Sequence, residues 1–274
     1  MSKQNFYHVL QILVPLLLFI QSSNSDPDQI HFRGGRCTPF DNFTPNSTYQ
    51  TNVLSLLSEL NLESSNSKFF NLSTGAGSNR VNGLYHCRPD LSLETCNACI
   101  IAATQMFFDK CAIKKEAIMW YEECTIRYSN RSIFSVKEIE PSAWASSIFN
   151  VSQPDTFLSL LNSTMEGLIA KATLPSNTER FATSKDNFTL FEGLFGLALC
   201  TPDITSFECE ECLRTALMIF PTCCGDLVQY VTVFLPSCHI RYDTAPFIIE
   251  TPAPAPSPAL HPTSAPFNAP PLSG

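Results

Sequence analysis

The chain has 274 residues, 17 Lys and Arg against 25 Asp and Glu, a formal net charge of −8, and no basic stripe. Phosphate binding needs clustered cations, so nucleic acid is excluded as the partner. Twelve cysteines, an even number, point to an oxidising compartment where thiols pair.

Lys3 gives the chain a positive start, and Val9–Ile20 forms an apolar run. At about a dozen residues it is shorter than the ~20 that a membrane-spanning helix needs. Ser22, Ser23 and Ser25 follow, small enough for a signal peptidase, and polar Gln21–Ser25 with Asp26-Pro27 argues against a buried core helix. Residues 1–25 are therefore expected to be a secretory signal cleaved near Ser25. No later stretch is apolar enough to cross a bilayer, so a soluble, secreted chain without a membrane span is expected. Seven N-x-S/T sequons agree with that: Asn42, Asn46, Asn71, Asn130, Asn150, Asn162 and Asn187. Pro45 after Thr44 makes Asn42 the weakest.

Helical spacing appears first at Val53, Leu54, Leu57 and Leu60. Then comes Gly83-Leu84-x-x-Cys87-x-Pro89-Asp90-Leu91-Ser92, followed by Cys96-x-x-Cys99 and a second helix through Ile100–Phe108. Lys115–Tyr128 is β-rich and ends in Cys124-Thr125-Ile126-Arg127-Tyr128, with Cys, Ile and Tyr on one face. The whole pattern then recurs. Gly196-Leu197-x-x-Cys200-x-Pro202-Asp203-Ile204-Thr205 and Cys209-x-x-Cys212 stand 113 residues further on, as Cys224 does from Cys111. Cys238-His239-Ile240-Arg241-Tyr242 repeats the strand after one inserted residue. Phe157, Leu160, Leu161 and Met165 supply the first helix of the second copy, and Thr205 with Glu208 has capping-box spacing before its second, Leu213–Ile219, which Pro221 is expected to stop. Val228–Tyr242 is β-rich.

The chain is thus a tandem duplication of an α+β domain, each copy an antiparallel sheet packed with two helices. The copies are expected at residues 26–134 and 143–249, joined by a connector at 138–147 that contains Pro141. A tail at 251–274, dense in Pro with Ala and Ser, cannot bury enough surface to fold and is expected to be disordered and extended. Domains this small gain from disulfide staples. Cys-x-x-Cys with two later cysteines also suits a zinc site or a redox dithiol. The secretory context and the odd third cysteine upstream (Cys87 or Cys200) favour structural disulfides, but spacing alone does not select the pairing.

The C-x8-C-x2-C pattern followed by a strand ending C-x-I-R-Y, present twice, resembles the plant ginkbilobin-homologous domain, also called the salt-stress-response or antifungal domain. Two such domains after a signal resemble a cysteine-rich repeat secretory protein and the ectodomain of cysteine-rich receptor-like kinases. The resemblance implies Cys37–Cys111, Cys87–Cys96 and Cys99–Cys124 in copy one, and Cys200–Cys209 and Cys212–Cys238 in copy two. Copy two has no counterpart of Cys37, whose equivalent place is expected near Asn150, but carries adjacent Cys223-Cys224. These are expected to form a vicinal bond or a labile thiol pair, with two buried inert thiols as the alternative.

No cofactor, metal or catalytic set is expected. His86 and His239 align with Leu199 and Thr125, and the acidic pairs Glu122-Glu123 and Glu210-Glu211 read as solvated faces. One member of the resembled family binds mannose through an Asn after the first cysteine, an Arg in the strand before the last cysteine and a Glu after it. The matching positions here are Thr38, Ile118 and Ser129, with Thr232 and Asp243 in copy two, so only Asp243 keeps a carboxylate and the Arg is absent. The expectation is a secreted, apoplastic, non-catalytic binding protein of plant extracellular defence or stress signalling, its partner an extracellular protein or glycan. Two alternatives are a carbohydrate-binding antifungal protein and a truncated ectodomain of a receptor-like kinase. Ala253–Pro258 resembles cell-wall hydroxyproline glycosylation sites, with a passive linker as the alternative.

Overall fold

Two copies of one order of elements make up the computed structural model, which describes residues 30–187, 189, 192–224 and 227–248. The leader expected over 1–25 and the Pro-rich tail expected over 251–274 lie outside the described residues. Copy one runs β1 (Phe32–Cys37), α1 (Thr48–Glu63), β2 (Phe69–Thr74), β3 (Val81–Cys87), α2 (Leu93–Cys111), β4 (Ala117–Tyr121) and β5 (Cys124–Ser129). Copy two runs β6 (Ala143–Ser146), α3 (Pro154–Ala172), β7 (Phe181–Asn187), β8 (Gly193–Cys200), α4 (Ser206–Cys224), β9 (Tyr230–Phe234) and β10 (Cys238–Asp243). Each copy is α+β, a five-stranded sheet with its two helices. The strand orders are β1-β4-β5-β3-β2 and β6-β9-β10-β8-β7, with every named pair antiparallel.

Local chemistry starts three of the helices. Ser47 and Ser92 accept the backbone N–H groups of Gln50 and Thr95, and Thr205 and Glu208 cap each other's backbone N–H reciprocally. The helices bury Val53, Leu57 and Leu60 in copy one and Phe157, Leu161 and Met165 in copy two, whereas Leu54 is exposed. Pro221 does not stop α4, which continues to Cys224. In the last turn its missing N–H removes only one i→i−4 bond, too little to end a helix packed on the sheet.

The sheet register corrects the alignment of the copies. Cys37 pairs with Ala117 and Ser146 with Val231, so Ser146, not a residue near Asn150, is the counterpart of Cys37. Asn150 instead bridges Val228 as Asn42 bridges Lys114. Four residues of the expected connector belong to β6.

All five residues of β4 and all six of β10 are buried. A strand buried without alternation needs cover on both faces. The inward side chains Ala117, Met119 and Tyr121 enter the helix-side core of copy one. The outward ones, Ile118 and Trp120, join Ala143 and Phe234 in a cluster between the copies. The sheets therefore meet face to face, closely enough at their edges that a Cβ on Gly34 would lie 3.1 Å from that of Ala143.

Candidate functional site

Register places the outward residues of both sheets in matching pairs. In copy one Ile118 lies opposite Arg127; in copy two Thr232 lies opposite Arg241. Ser129 and Asp243 end the corresponding strands. Each copy therefore presents an arginine flanked by two of the positions singled out in the sequence, and the turn of the other copy decides what it meets.

In copy two that neighbour is Glu122, from the β4–β5 turn. Arg241 donates to Glu122 Oε2 at 2.7 Å and to Asp243 Oδ2 at 2.6 Å. Arg33 lies 2.6 Å from Glu122 Oε1, and the Phe247 ring covers Arg241 with its centroid at 3.9 Å. Burial pushes the Glu122 carboxyl up, but the surrounding cations, Arg241 foremost, outweigh it and hold the group below its usual range. Thr232 is fully buried and shares a 2.8 Å hydrogen bond with His239. The copy-two positions are closed by protein. Glu122 and Glu123, expected as a solvated face, are buried: Glu122 meets Arg241 of the other copy, and Glu123 accepts the backbone N–H of His31 from its own copy at 3.0 Å. Glu210 and Glu211 are exposed on α4.

In copy one the corresponding turn residue is Pro236, which offers no carboxylate. Arg127 instead donates to Glu138 of the connector and to the Ile133 carbonyl. Burial pulls Arg127 below its usual pKa range, against the pull of Glu138 and Asp203. Arg131 donates to the same Glu138 and to Glu116. A cleft of about 330 Å³ stays open here. Thr38, Ile118 and Ser129 all line it, together with Arg36, Arg131 and Glu140. Arg36 is exposed and donates to its own neighbour's carbonyl on Gly35, and the buried Nε of Arg127 has no protein partner. The sequence reading did not single out Arg36, Arg131, Glu138 or Pro236. Each borders a strand or turn and carries no periodic signal.

His86 and His239 both line a narrow gap of about 20 Å³ between the copies. Burial holds each at a pKa of about 3.

The cysteines form six bonds: Cys37–Cys111, Cys87–Cys96, Cys99–Cys124, Cys200–Cys209, Cys212–Cys238 and Cys223–Cys224. Six sequon asparagines are exposed and Asn71 is half-buried. Among the described residues no cluster of three or more His, Cys, Asp or Glu could hold a metal ion, and no helix is long and apolar enough to cross a membrane.

The salt stress response/antifungal family matches residues 36–131 and 145–245. Cysteine-rich receptor-like protein kinase 25 of Arabidopsis thaliana is 36% identical over 266 residues, which is 94% of this chain but 38% of the kinase. Cysteine-rich repeat secretory protein 9 of the same plant is 33% identical, covering 91% of this chain and 78% of that protein. An antimicrobial ginkbilobin-2-like protein of Castanea crenata is 32% identical, covering 85% and 94%. The tandem DUF26 ectodomain of the Arabidopsis thaliana cysteine-rich receptor-like protein PDLP8 superposes with a TM-score of 0.68 at 23% identity, over 79% of this chain and 99% of that one.

Proposed function

Because this chain belongs to the salt stress response/antifungal family, we propose that it is an extracellular, non-catalytic binding protein that takes its ligand in the cleft between copy one and the connector. The observation that carries this is the open cleft of about 330 Å³ with the exposed charges of Arg36 and Glu140 on its wall. Arg127 and Arg241 are themselves both buried, but only the copy-one arginine borders such an opening. Polar groups left without full pairing at such a cleft gain most from a polar ligand. Secretion is supported by six disulfides and the exposed sequons, and by relatives named as secretory proteins. The working boundaries remain a leader at 1–25, domains at 26–134 and 143–249, and a tail at 251–274.

The oxidised protein is to be screened on an array of mannans and cell-wall oligosaccharides and against extracellular peptides. Binding is expected to fall in an Arg36→Ala, Glu140→Ala double variant with an unchanged melting temperature. A ligand held equally by both proteins would place the site elsewhere. A specific glycan hit would favour the carbohydrate-binding antifungal reading, and the Castanea crenata relative is named as antimicrobial. That hit would not use the mannose mode of the family, since Ile118 stands where that mode needs an arginine. A blank array with a peptide hit would favour a signalling partner, as for an ectodomain.

A further inference from the structure

Independently of that cleft, we propose that copy two holds a second site, an apolar pocket for an uncharged aromatic or lipophilic small molecule. The pocket lies between α3, α4 and the ends of β9 and β10 and encloses about 280 Å³. The same place in copy one encloses about 50 Å³.

Two aligned differences account for the extra space. In copy one Phe43, 5% exposed, packs on Tyr49 with ring centroids 5.5 Å apart, and Phe108 lines the wall. The bridges Asn42–Lys114 and Asn150–Val228 align Phe43 with Val151, and the spacing from Cys111 and Cys224 aligns Phe108 with Pro221. Copy two therefore lacks two benzene rings that copy one supplies from its own chain. At the mouth the polar residue changes place: Gln50 and Leu54 in copy one correspond to Leu158 and Asn162 in copy two.

The chemistry of the wall selects the ligand. Leu158, Leu161, Leu217, Phe220 and Val231 line it with no charged residue among the described lining. The Tyr242 hydroxyl already donates to the Val228 carbonyl at 3.1 Å, so it asks for no partner. Among the described residues an ion would find no counter-charge, which disfavours a charged ligand. An apolar cavity of roughly 150 Å³ suffices for benzene, so this one suits about ten to twelve carbon atoms. Asn162 adds a polar side chain to the described lining.

The test is a titration of the full, oxidised chain with 1-aminonaphthalene, a ten-carbon, environment-sensitive fluorophore that is uncharged at neutral pH. Enzymatic deglycosylation beforehand keeps any carbohydrate on Asn162 from covering the mouth. Saturable fluorescence enhancement with one site per chain is expected. Val151→Phe, which restores the ring of copy one, should weaken binding about tenfold. Leu158→Gln, a change at a half-exposed position, should weaken it severalfold without lowering the melting temperature, and decides the matter alone if Val151→Phe fails to fold. No saturable enhancement, or wild-type affinity in both variants, would overturn the pocket.

Discussion

Glu122 is 3% exposed and pairs with Arg33 of its own copy and with Arg241 across the copies. An ion pair this deep adds little net stability over an apolar packing, but removing one partner leaves charge buried without compensation. Glu122→Gln is therefore expected to cost about 3–5 kcal/mol, read as a lower urea midpoint. A loss under ~1 kcal/mol would mean that water reaches Arg241. A change at the corresponding Pro236 should be far milder, because Arg127 draws its counter-charge from Glu138. In the sequence Glu122-Glu123 read as a solvated pair, since acidic dipeptides in turns usually are. Only the approach of a second sheet face, which sequence periodicity does not describe, puts Glu122 inside, while Glu123 is held by His31 of its own copy.

At the scale of the element, the repeat motif itself was legible, and the structure shows what it does. Gly83 and Gly196 open the motif because β3 and β8 pass directly beneath the first helix of each copy. A Cβ there would come within 2.4 Å of Leu56 Cδ2 or 2.5 Å of Leu168 Cδ1. Gly83→Ala and Gly196→Ala are each expected to lose about 1–3 kcal/mol through forced repacking of a buried leucine, measured by chemical denaturation. Equal stability in either variant would show that the helix slides freely over the strand. The reciprocal cap at Thr205 is the milder case, with Thr205→Ala expected to cost about 1 kcal/mol. Helices, strands and the cap were readable because period and capping act within a few residues. The place of Cys37's counterpart was not, since the 113-residue spacing holds only from Gly83 onward: Asn42 and Asn150 stand 108 apart, so copy two is longer between that bridge and the glycine. Pro221 misled for a related reason: propensity speaks for one turn, while packing against β9 and β10 speaks for the whole of α4.

For the whole molecule, the buried histidines make the contact between the copies sensitive to acid. His86 and His239 face the same gap, one from each copy, and each aligns with an uncharged residue of the other copy. Burial lowers both, for His239 against the opposing pull of Glu122. With a folded pKa of about 3 against ~6.5 in the unfolded chain, the folded form binds fewer protons between those values. Stability is complete above the unfolded pKa and falls as the pH drops through the window. By linkage each histidine withdraws about 2 kcal/mol between pH 7.5 and pH 5. Glu122, whose pKa is depressed, keeps its contribution over that range and loses it only in stronger acid, so the histidines dominate the slope. Urea denaturation at the two pH values should show the loss. His86→Leu and His239→Thr, each borrowing the aligned residue of the other copy, should each remove about half of it. Variants that stay as acid-sensitive as the parent would move the titrating groups away from the interface.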